Sequence, residues 1–364
     1  MSNNVEFIWD VGTAYDFFTS LDVLHDPNRY GLRGNWAAGV RSRLPARKRE
    51  LLNTVTSQAH VWPLPWLARL DVPRKDAATV LAVLADLPPG RRLVELVSCY
   101  MKEETRALFD AVGARGSWQA ADKEALREIY RSMYQKEGVK KKISDEDLEA
   151  QLTIWADPEG FGEAYLAALQ TYYDVFFKED EARIRPALAE TAAQAQALAA
   201  ELTLPALLEE LSQGLSFDYA DLDEVQRLRM VPSFWTTPLS LFTRLRSEGQ
   251  GEWLFLFGGR PPSVSLVPGE VVPELLYQTL KALADPTRLR ILRYLSAEPL
   301  TPAELARRLR LRPPTVIHHL DALRLARLVQ LRLGQEGRRY AARREAVKLA
   351  CEMLEGYLEN GKGE

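Results

Sequence analysis

The clearest hydrophobic pattern of the chain lies between Thr301 and Arg327, where apolar residues keep a helical period on both sides of a proline pair. Thr301, Pro302 and Glu304 have the residue types and spacing of a capping box at the start of a helix. Pro313 ends that helix, because proline lacks an amide donor and disfavours helical geometry in the residue before it. The inward positions of a second helix follow at i, i+4 and i+7: Val316, Leu320 and Leu323. The pattern predicts two short helices joined by a tight turn.

Further cap and turn signals flank this pair of helices. Upstream, Asp285 and Pro286 restart a helix, with the aspartate as its cap and the proline at its first position. Downstream, apolar and polar residues alternate over 328–333 and 338–342, on either side of the glycine-bounded segment 334–337. Such alternation around a glycine turn is typical of a β-hairpin. Helices and hairpin in this order predict a winged helix-turn-helix, whose second helix enters the major groove of DNA.

The rest of the chain is dominated by helical patterns. Helices are expected at 12–24, 76–87, 91–112, 117–136, 186–200 and 205–212. Two more helices are expected to begin at the caps Ser144 and Asp157-Pro158. Strands are expected at 5–9, 225–231, 253–257 and 264–267, where β-branched and aromatic residues cluster. The predicted fold class is mainly α with small β. Residues 1–270 form a mostly helical sensing or assembly domain with a small sheet near 215–267, and residues 271–364 form the winged helix-turn-helix domain.

Four segments of the C-terminal region resemble the winged-helix domain of the ArsR family of transcriptional regulators. They are ALADPTRLRIL at 282–292, PTVIHHL at 314–320, LARLV at 325–329 and QEGRRY at 335–340. The resemblance covers about a fifth of the chain, and the motifs come in the order of the family. It implies a homodimer that binds double-stranded DNA, with a C-terminal dimerisation helix. The residues that would pair across the two-fold are Leu275, Leu276, Leu280, Leu283, Val347, Leu354 and Leu358.

A set of side chains, all polar or basic except Ile317, follows from this resemblance as the candidate DNA contacts. They are Thr301, Arg312, Thr315, Ile317, His318, His319, Arg324, Arg338 and Arg339. We expect Thr315 and His318 to read bases, and the wing arginines to hold the backbone or minor groove. His319 lies nearer the buried face, so an alternative is that it braces the helix. Ile317 stands where the family usually has serine, and a contact with a thymine methyl would suit it.

The charge distribution supports a polyanionic partner for the C-terminal region alone. The chain has 364 residues and a net charge of −3. Between Pro273 and Glu345, however, fifteen Lys and Arg residues stand against seven Asp and Glu. This segment therefore carries a charge of +8 and the remainder −11. A basic module on an acidic chain is typical of nucleic-acid binding by that module.

The remaining composition indicates a cytoplasmic protein with no membrane partner. A hydrophobic content of 46% is sufficient for a buried core. No apolar run approaches the roughly 18 residues of a membrane span, and the start MSNNVE does not have the pattern of a signal peptide. Cys99 and Cys351 lie far apart without CxxC spacing, which fits a reducing compartment.

Signatures of catalysis and metal binding are missing from the sequence. It contains no GxSxG, HExxH, GxxxxGK[ST] or GxGxxG motif. Metal-sensing relatives in the ArsR family use paired cysteines on the first helix of the helix-turn-helix, or Asp and His pairs on the last helix. Residues 304–310 read ELARRLR, and 345–358 contain no histidine. Cys351 lies on an apolar stripe and is predicted to be core. We therefore expect no enzyme activity, no cofactor and no metal.

Clustered aromatic residues in the N-terminal region are candidates for a ligand pocket. Trp62 and Trp66 stand on either side of two prolines, and Tyr165, Tyr172 and Phe176 recur near helical spacing. Small-molecule pockets have mostly apolar walls, which such a set could supply. The alternative is that the same five side chains fill a helical core.

The function predicted from the sequence is a DNA-binding transcription regulator that responds to an apolar small-molecule effector through its N-terminal domain. One alternative is an interaction scaffold whose winged helix binds protein, which the charge of +8 disfavours. The other is an enzyme domain fused to a DNA-binding tail, which the missing catalytic motifs disfavour.

Overall fold

The computed structural model describes most of the chain, from residue 5 to residue 360. The described ranges are 5–32, 34–59, 61–98, 101–136, 143–217, 222–245, 251–261, 264–269, 272–334 and 337–360. Every structural statement below refers to these residues. None of the helices in these ranges is long and apolar enough to cross a membrane.

Helices make up most of the N-terminal region, as the sequence pattern predicts. They are α1 (Thr13–His25), α2 (Gly34–Ser42), α3 (Ala46–Ser57), α4 (Leu64–Arg69), α5 (Ala77–Asp86), α6 (Pro89–Ser98), α7 (Glu103–Arg115), α8 (Ala120–Lys136), α9 (Asp145–Ala156), α10 (Pro158–Tyr172), α11 (Lys178–Glu201) and α12 (Leu204–Ser212). A 3-10 turn at Pro27–Tyr30 follows α1, and a π turn at Tyr173–Phe177 joins α10 to α11.

The predicted helix starts are confirmed where a polar capping residue precedes the helix. Ser144 and Asp147 form a reciprocal capping box at α9, and the Asp157 carboxylate accepts from the amide of Gly160 at 2.9 Å. The single helix expected at 91–112 is wrong, because α6 and α7 are separate. Lys102 has extended backbone angles and occupies the N-cap position of α7. The chain changes direction there, and α6 packs on α10 while α7 packs on α9.

A four-stranded sheet lies beside the helices. Its strands are β1 (Glu6–Trp9), β3 (Arg227–Ser233), β4 (Leu241–Arg244) and β5 (Glu252–Gly258), in the order β1-β3-β5-β4. The first three run parallel, and β4 is antiparallel to β5. The strand expected at 264–267 is wrong. Here the amides of Leu266 and Val267 donate to the Glu274 carboxylate, at 2.8 and 3.3 Å, so these groups are satisfied without a strand partner.

Asp16 joins helix α1 to the end of strand β3. Its carboxylate is fully buried and accepts three hydrogen bonds, from the Ser233 hydroxyl at 2.5 Å and from the amides of Trp235 and Phe234 at 2.8 and 3.1 Å. Burial raises the pKa of Asp16 to about 7, although those hydrogen bonds lower it. One carboxylate thus holds the turn after β3, which leads to residues 236–241.

The C-terminal region has the predicted winged helix-turn-helix. Its elements are α13 (Glu274–Leu283), α14 (Pro286–Leu295), α15 (Pro302–Leu309), α16 (Pro313–Leu325), β6 (Val329–Gly334), β7 (Gly337–Ala342) and α17 (Arg344–Asn360). Asp285 caps α14 through the amides of Thr287 and Arg288, at 2.8 and 2.9 Å. The prediction of a buried Cys351 is wrong, because α17 turns Ala346 and Ala350 inwards and leaves the cysteine exposed.

The two regions share a β-sheet. Strand β2 (Leu215–Phe217) pairs in parallel with β6 of the wing, which pairs in turn with β7. The small sheet expected near 215–267 is therefore divided: β2 belongs to the wing sheet, while the four-stranded sheet recruits β1 from the start of the chain. A second tie lies at the Pro27–Tyr30 turn, where Gln278 of α13 donates to the carbonyl oxygen of Gly31.

The raised pKa of Asp16 predicts a characteristic pH dependence of stability. A carboxyl whose pKa is higher in the folded protein stabilises it fully below the unfolded value, near 4, and this contribution is lost as the pH rises towards 7. We expect the wild-type free energy of unfolding to fall by roughly 1.4 kcal/mol per pH unit in this window relative to Asp16→Asn. Urea unfolding of both proteins between about pH 5 and 7.5 measures it. A difference that does not change with pH would contradict the assignment.

Candidate nucleic-acid interface

Helix α16 presents an exposed polar face above a buried apolar one. The inward residues are Val316, Leu320 and Leu323, each with 0% exposure. This face fixes the rotation of the helix, so Thr315 and His318 are exposed, as is Ile317 with 45% of its surface accessible. Arg312 is exposed at the N-cap position. The predicted base-reading residues therefore point away from the core of the domain.

The preceding helix is set by the capping box that the sequence predicts. The Thr301 hydroxyl accepts from the Glu304 amide at 3.2 Å, and the Glu304 carboxylate accepts from the Thr301 amide at 2.7 Å. Since the same hydroxyl also donates to that carboxylate at 2.9 Å, Thr301 is engaged in the cap. Arg307 and Arg310 line an open groove beside it. Both are exposed, and neither was among the candidate contacts.

The two wing arginines differ in their surroundings. Arg338 is exposed on β7. Arg339 instead donates to the carbonyl oxygen of Pro299 at 3.2 Å and lies 3.6 Å from the Glu304 carboxylate. Arg339 thus connects the wing to the loop before α15, and contact of either arginine with DNA stays a prediction.

His319 is turned partly into the domain. Its side chain is half-buried, and its Nδ1 atom is buried with no hydrogen-bond partner among the described residues. Burial lowers the pKa of His319, while the nearby Asp285 carboxylate raises it. The bracing alternative describes this position better than base reading does.

A cleft of about 760 Å³ separates the recognition helix α16 from the N-terminal region; we call it the interdomain cleft. On the α16 side it is lined by His318, Asp321, Ala322, Arg324 and Leu325. On the other side it is lined by Asp26, Asn28, Arg29, Gly31, Leu32, Leu239 and Ser240. Arg324 thus faces the N-terminal region, so its surroundings depend on where the Pro27–Tyr30 turn lies.

These elements define the class of the C-terminal domain: a winged helix-turn-helix with an exposed reading helix and a basic wing. Residues 285–330 match the family model described as bacterial regulatory protein, arsR family, which spans α14, α15, α16 and the start of β6. This part of the chain is therefore an ArsR-family DNA-binding domain of a transcription regulator, and its C-terminal position fits a long-form ArsR-type regulator. The comparisons with curated proteins and with solved structures gave no match.

A second cavity, of about 400 Å³, lies within the N-terminal region; we call it the aromatic cavity. It is lined by Phe18, Thr19, Leu21, Asp22, Arg29, Tyr30, Val55, Thr56, Val61, Trp62, Pro63, Leu64, Tyr165, Thr236, Leu239, Ser240, Leu241 and Leu256. Two of the five predicted pocket aromatics, Trp62 and Tyr165, are on its wall. The volume is within the range of small-molecule sites.

The other three predicted pocket residues do not line this cavity. Trp66 is buried in α4. The Tyr172 hydroxyl is within 2.7 Å of the Ser20 hydroxyl, which satisfies it inside the core. Phe176 packs its ring against Trp235, with the centroids 5.8 Å apart. The positions of these three residues favour the core alternative. Helical spacing places a side chain on one face of a helix but does not show whether that face packs against protein or borders a cavity.

Among the described residues, no three His, Cys, Asp or Glu side chains come together as a metal-binding group. Buried charged groups form ion pairs with one another at several places in the N-terminal region. In the buried cluster after β1, for example, Asp10 accepts from Lys75 at 2.5 Å and lies 3.2 Å from Arg229. Such pairing balances buried charges and leaves them with a structural role.

Substitutions on α16 and on the wing should separate base reading from backbone contact. We expect His318→Ala to cost about 1–3 kcal/mol on the specific site and little on unrelated DNA. Arg338→Ala should weaken binding to all sequences alike and lower the salt slope by about one counterion. Fluorescence anisotropy over a series of salt concentrations measures both effects. The reverse pattern would show that the roles are exchanged.

Proposed function

We propose that this protein is a homodimeric, sequence-specific transcription regulator whose N-terminal region is a non-catalytic sensor for a small, largely apolar molecule. Occupancy of the aromatic cavity changes the affinity for DNA. The observation that carries the proposal is the wall shared by the aromatic cavity and the interdomain cleft: Arg29, Leu239 and Ser240 line both.

DNA reading by α16 rests on its exposed face and on the charge of the domain. Thr315, Ile317 and His318 are accessible along one side of the helix. Arg307, Arg310 and Arg338 are exposed around it and supply charges for phosphate contacts. Each copy of α16 would read one half-site, with the wing against the adjacent backbone.

Dimerisation is supported by an apolar surface on α13 and α17, two helices that contact each other. Tyr277 and Leu280 of α13 are 36% and 41% exposed, and Val347 and Leu358 of α17 are 39% and 62% exposed. Val347, Cys351 and Leu358 lie on one flank of α17 by helical spacing. A two-fold contact between such surfaces would bury side chains that are otherwise accessible to water.

Ligand response is supported by the position of the Pro27–Tyr30 turn between cavity and reading helix. On the cavity side, Tyr30 donates to the Asp22 carboxylate. On the other side, the carbonyl oxygen of Gly31 accepts from Gln278 of α13. Gly31 has φ +75°, and a Cβ there would lie 3.3 Å from the Gln278 side chain, so the contact is close. A ligand that moves this turn would change the surroundings of His318 and Arg324.

Charge on the apolar flank should break the dimer. We expect the full chain with Leu280→Glu and Leu358→Glu to become monomeric and to lose affinity for a two-half-site DNA, because the charges would be buried at the two-fold. Leu349→Glu is the matched control, since Leu349 is 42% exposed on the opposite flank of α17. Sedimentation velocity gives the oligomeric state. A double variant that stays dimeric while the control dissociates would place the interface on the other flank.

Filling the aromatic cavity should alter DNA binding without any contact to DNA. Val61 lines the cavity in the segment before α4. We expect Val61→Phe to change DNA affinity by at least about fivefold, because coupling between sites is typically 1–3 kcal/mol. The same substitution combined with Gln278→Ala should have a smaller effect, since the tie to Gly31 is lost.

Val61→Ala, which enlarges the cavity, is the control and should bind DNA as the wild type does. Anisotropy titrations of the four full-length proteins with one DNA duplex make the comparison. Equal DNA affinity for Val61→Phe and wild type, with both folded, would contradict an effect of the cavity on DNA binding.

A further inference from the structure

Two hydroxyl groups on the wall of the aromatic cavity are buried without a hydrogen-bond partner in the described part of the chain. They are Thr19 Oγ1, on α1, and Ser240 Oγ, just before β4. Thr19 is only 8% exposed. The other hydroxyls of Thr residues on this wall are engaged: Thr56 donates to the Leu52 carbonyl at 2.8 Å. The Thr236 hydroxyl lies 2.9 Å from that of Ser233 and donates to it, because the Ser233 proton is directed to Asp16.

Leaving a hydroxyl buried and unpaired is energetically costly, so such groups normally have a partner. Most of the wall around Thr19 and Ser240 is apolar or aromatic, including Phe18, Leu64 and Leu256. These side chains offer no hydrogen-bonding atoms. Both oxygens have almost no accessible surface. A rotation about the Cα–Cβ bond that turns either hydroxyl towards the cavity lined by its residue would let a molecule inside supply the missing partner.

The charged groups on the wall cancel each other. Asp22 and Arg29 are the only ionisable acid and strong base among the lining residues, and their side chains lie 3.9 Å apart. Tyr30 adds a hydrogen bond to the Asp22 carboxylate. A charged ligand would have to compete with this pair for its counter-charge, and it would lose its hydration on entering an apolar space. The wall therefore favours an uncharged occupant.

We propose that the aromatic cavity binds a neutral molecule with an aromatic or aliphatic body and a hydroxyl or similar polar head, which hydrogen-bonds to Thr19 and Ser240. The inference rests on the proposed function and defines the chemical class of its effector. Because Ser240 also lines the interdomain cleft, the head of the ligand would lie at the wall that faces α16.

The test uses the full-length protein and a set of naphthalene probes: naphthalene, 1-naphthol, 2-naphthol, 1,5-dihydroxynaphthalene and 1-naphthalenesulfonate. Calorimetric titration should show that at least one hydroxylated probe binds with higher affinity than naphthalene. We expect a gain of roughly three- to tenfold for each hydrogen bond formed, since one such bond contributes about 0.5–1.5 kcal/mol. The sulfonate, an anion of similar body, should bind most weakly.

Thr19→Val and Ser240→Ala should each remove the preference for the hydroxylated probe over naphthalene. Because neither hydroxyl has a partner among the residues that the structure describes, these variants should unfold at the same or a higher temperature than the wild type. Thr56→Val is the matched control: its hydroxyl lines the same cavity but is already bonded to Leu52, so the preference should persist.

Loss of preference at an unchanged or higher unfolding temperature supports the assignment. Naphthalene and all naphthols binding equally well would overturn the polar-head inference while leaving an apolar effector cavity in place. Preference retained in Thr19→Val and Ser240→Ala, or tightest binding by the sulfonate, would also overturn it. If no probe binds, both this inference and the effector cavity of the proposed function fail.

Discussion

The parallel pairing of β2 with β6 is the constraint on which the arrangement of the molecule depends. A two-stranded hairpin leaves one edge of each strand unpaired, and here the chain before the DNA-binding domain supplies the third strand. The amide of Leu331 also donates to the carbonyl oxygen of Gly214 at 2.7 Å. The wing is therefore built partly from the N-terminal region, and a hydrogen-bonded sheet connects the two regions.

Charged groups at the same seam reinforce this dependence. Arg260 pairs with Glu274 of α13 at 3.0 Å, and Arg343 donates to the carbonyl oxygen of Gln213 at 2.5 Å. Arg327 donates to the Gln213 side chain, and burial lowers its pKa to about 9. Separating the regions would strip Gln213 from both arginines. The DNA-binding domain is thus held to the N-terminal region by buried polar contacts as well as by the sheet, and the proposed response to the aromatic cavity rests on these contacts.

Local signals in the sequence predicted the elements well where a cap or a period fixes them. The Thr301 box, the Asp285 cap and the buried Val316 face are all set by residues within one or two helical turns, and all three are confirmed. Contacts between distant residues have no such signal. The pairing of β2 with β6, the Arg339 tie to Pro299 and the orphaned hydroxyls of Thr19 and Ser240 arise from packing of segments far apart in the chain. The aromatic residues of α10 show how far local signals reach. Their spacing predicted a buried helix face, but only the fold shows that Tyr165 borders the aromatic cavity while Tyr172 packs in the core.

Thermodynamic reciprocity gives the most direct test of the central claim that the aromatic cavity and the DNA-reading helix are coupled. If a cavity ligand changes DNA affinity by some factor, DNA must change the affinity for that ligand by the same factor. The decisive measurement is the dissociation constant of the tightest-binding naphthol for the full-length protein, alone and saturated with its specific duplex. Coupling predicts a difference of at least about fivefold, equal to the ligand-induced change in DNA affinity. Identical constants with and without DNA would contradict it.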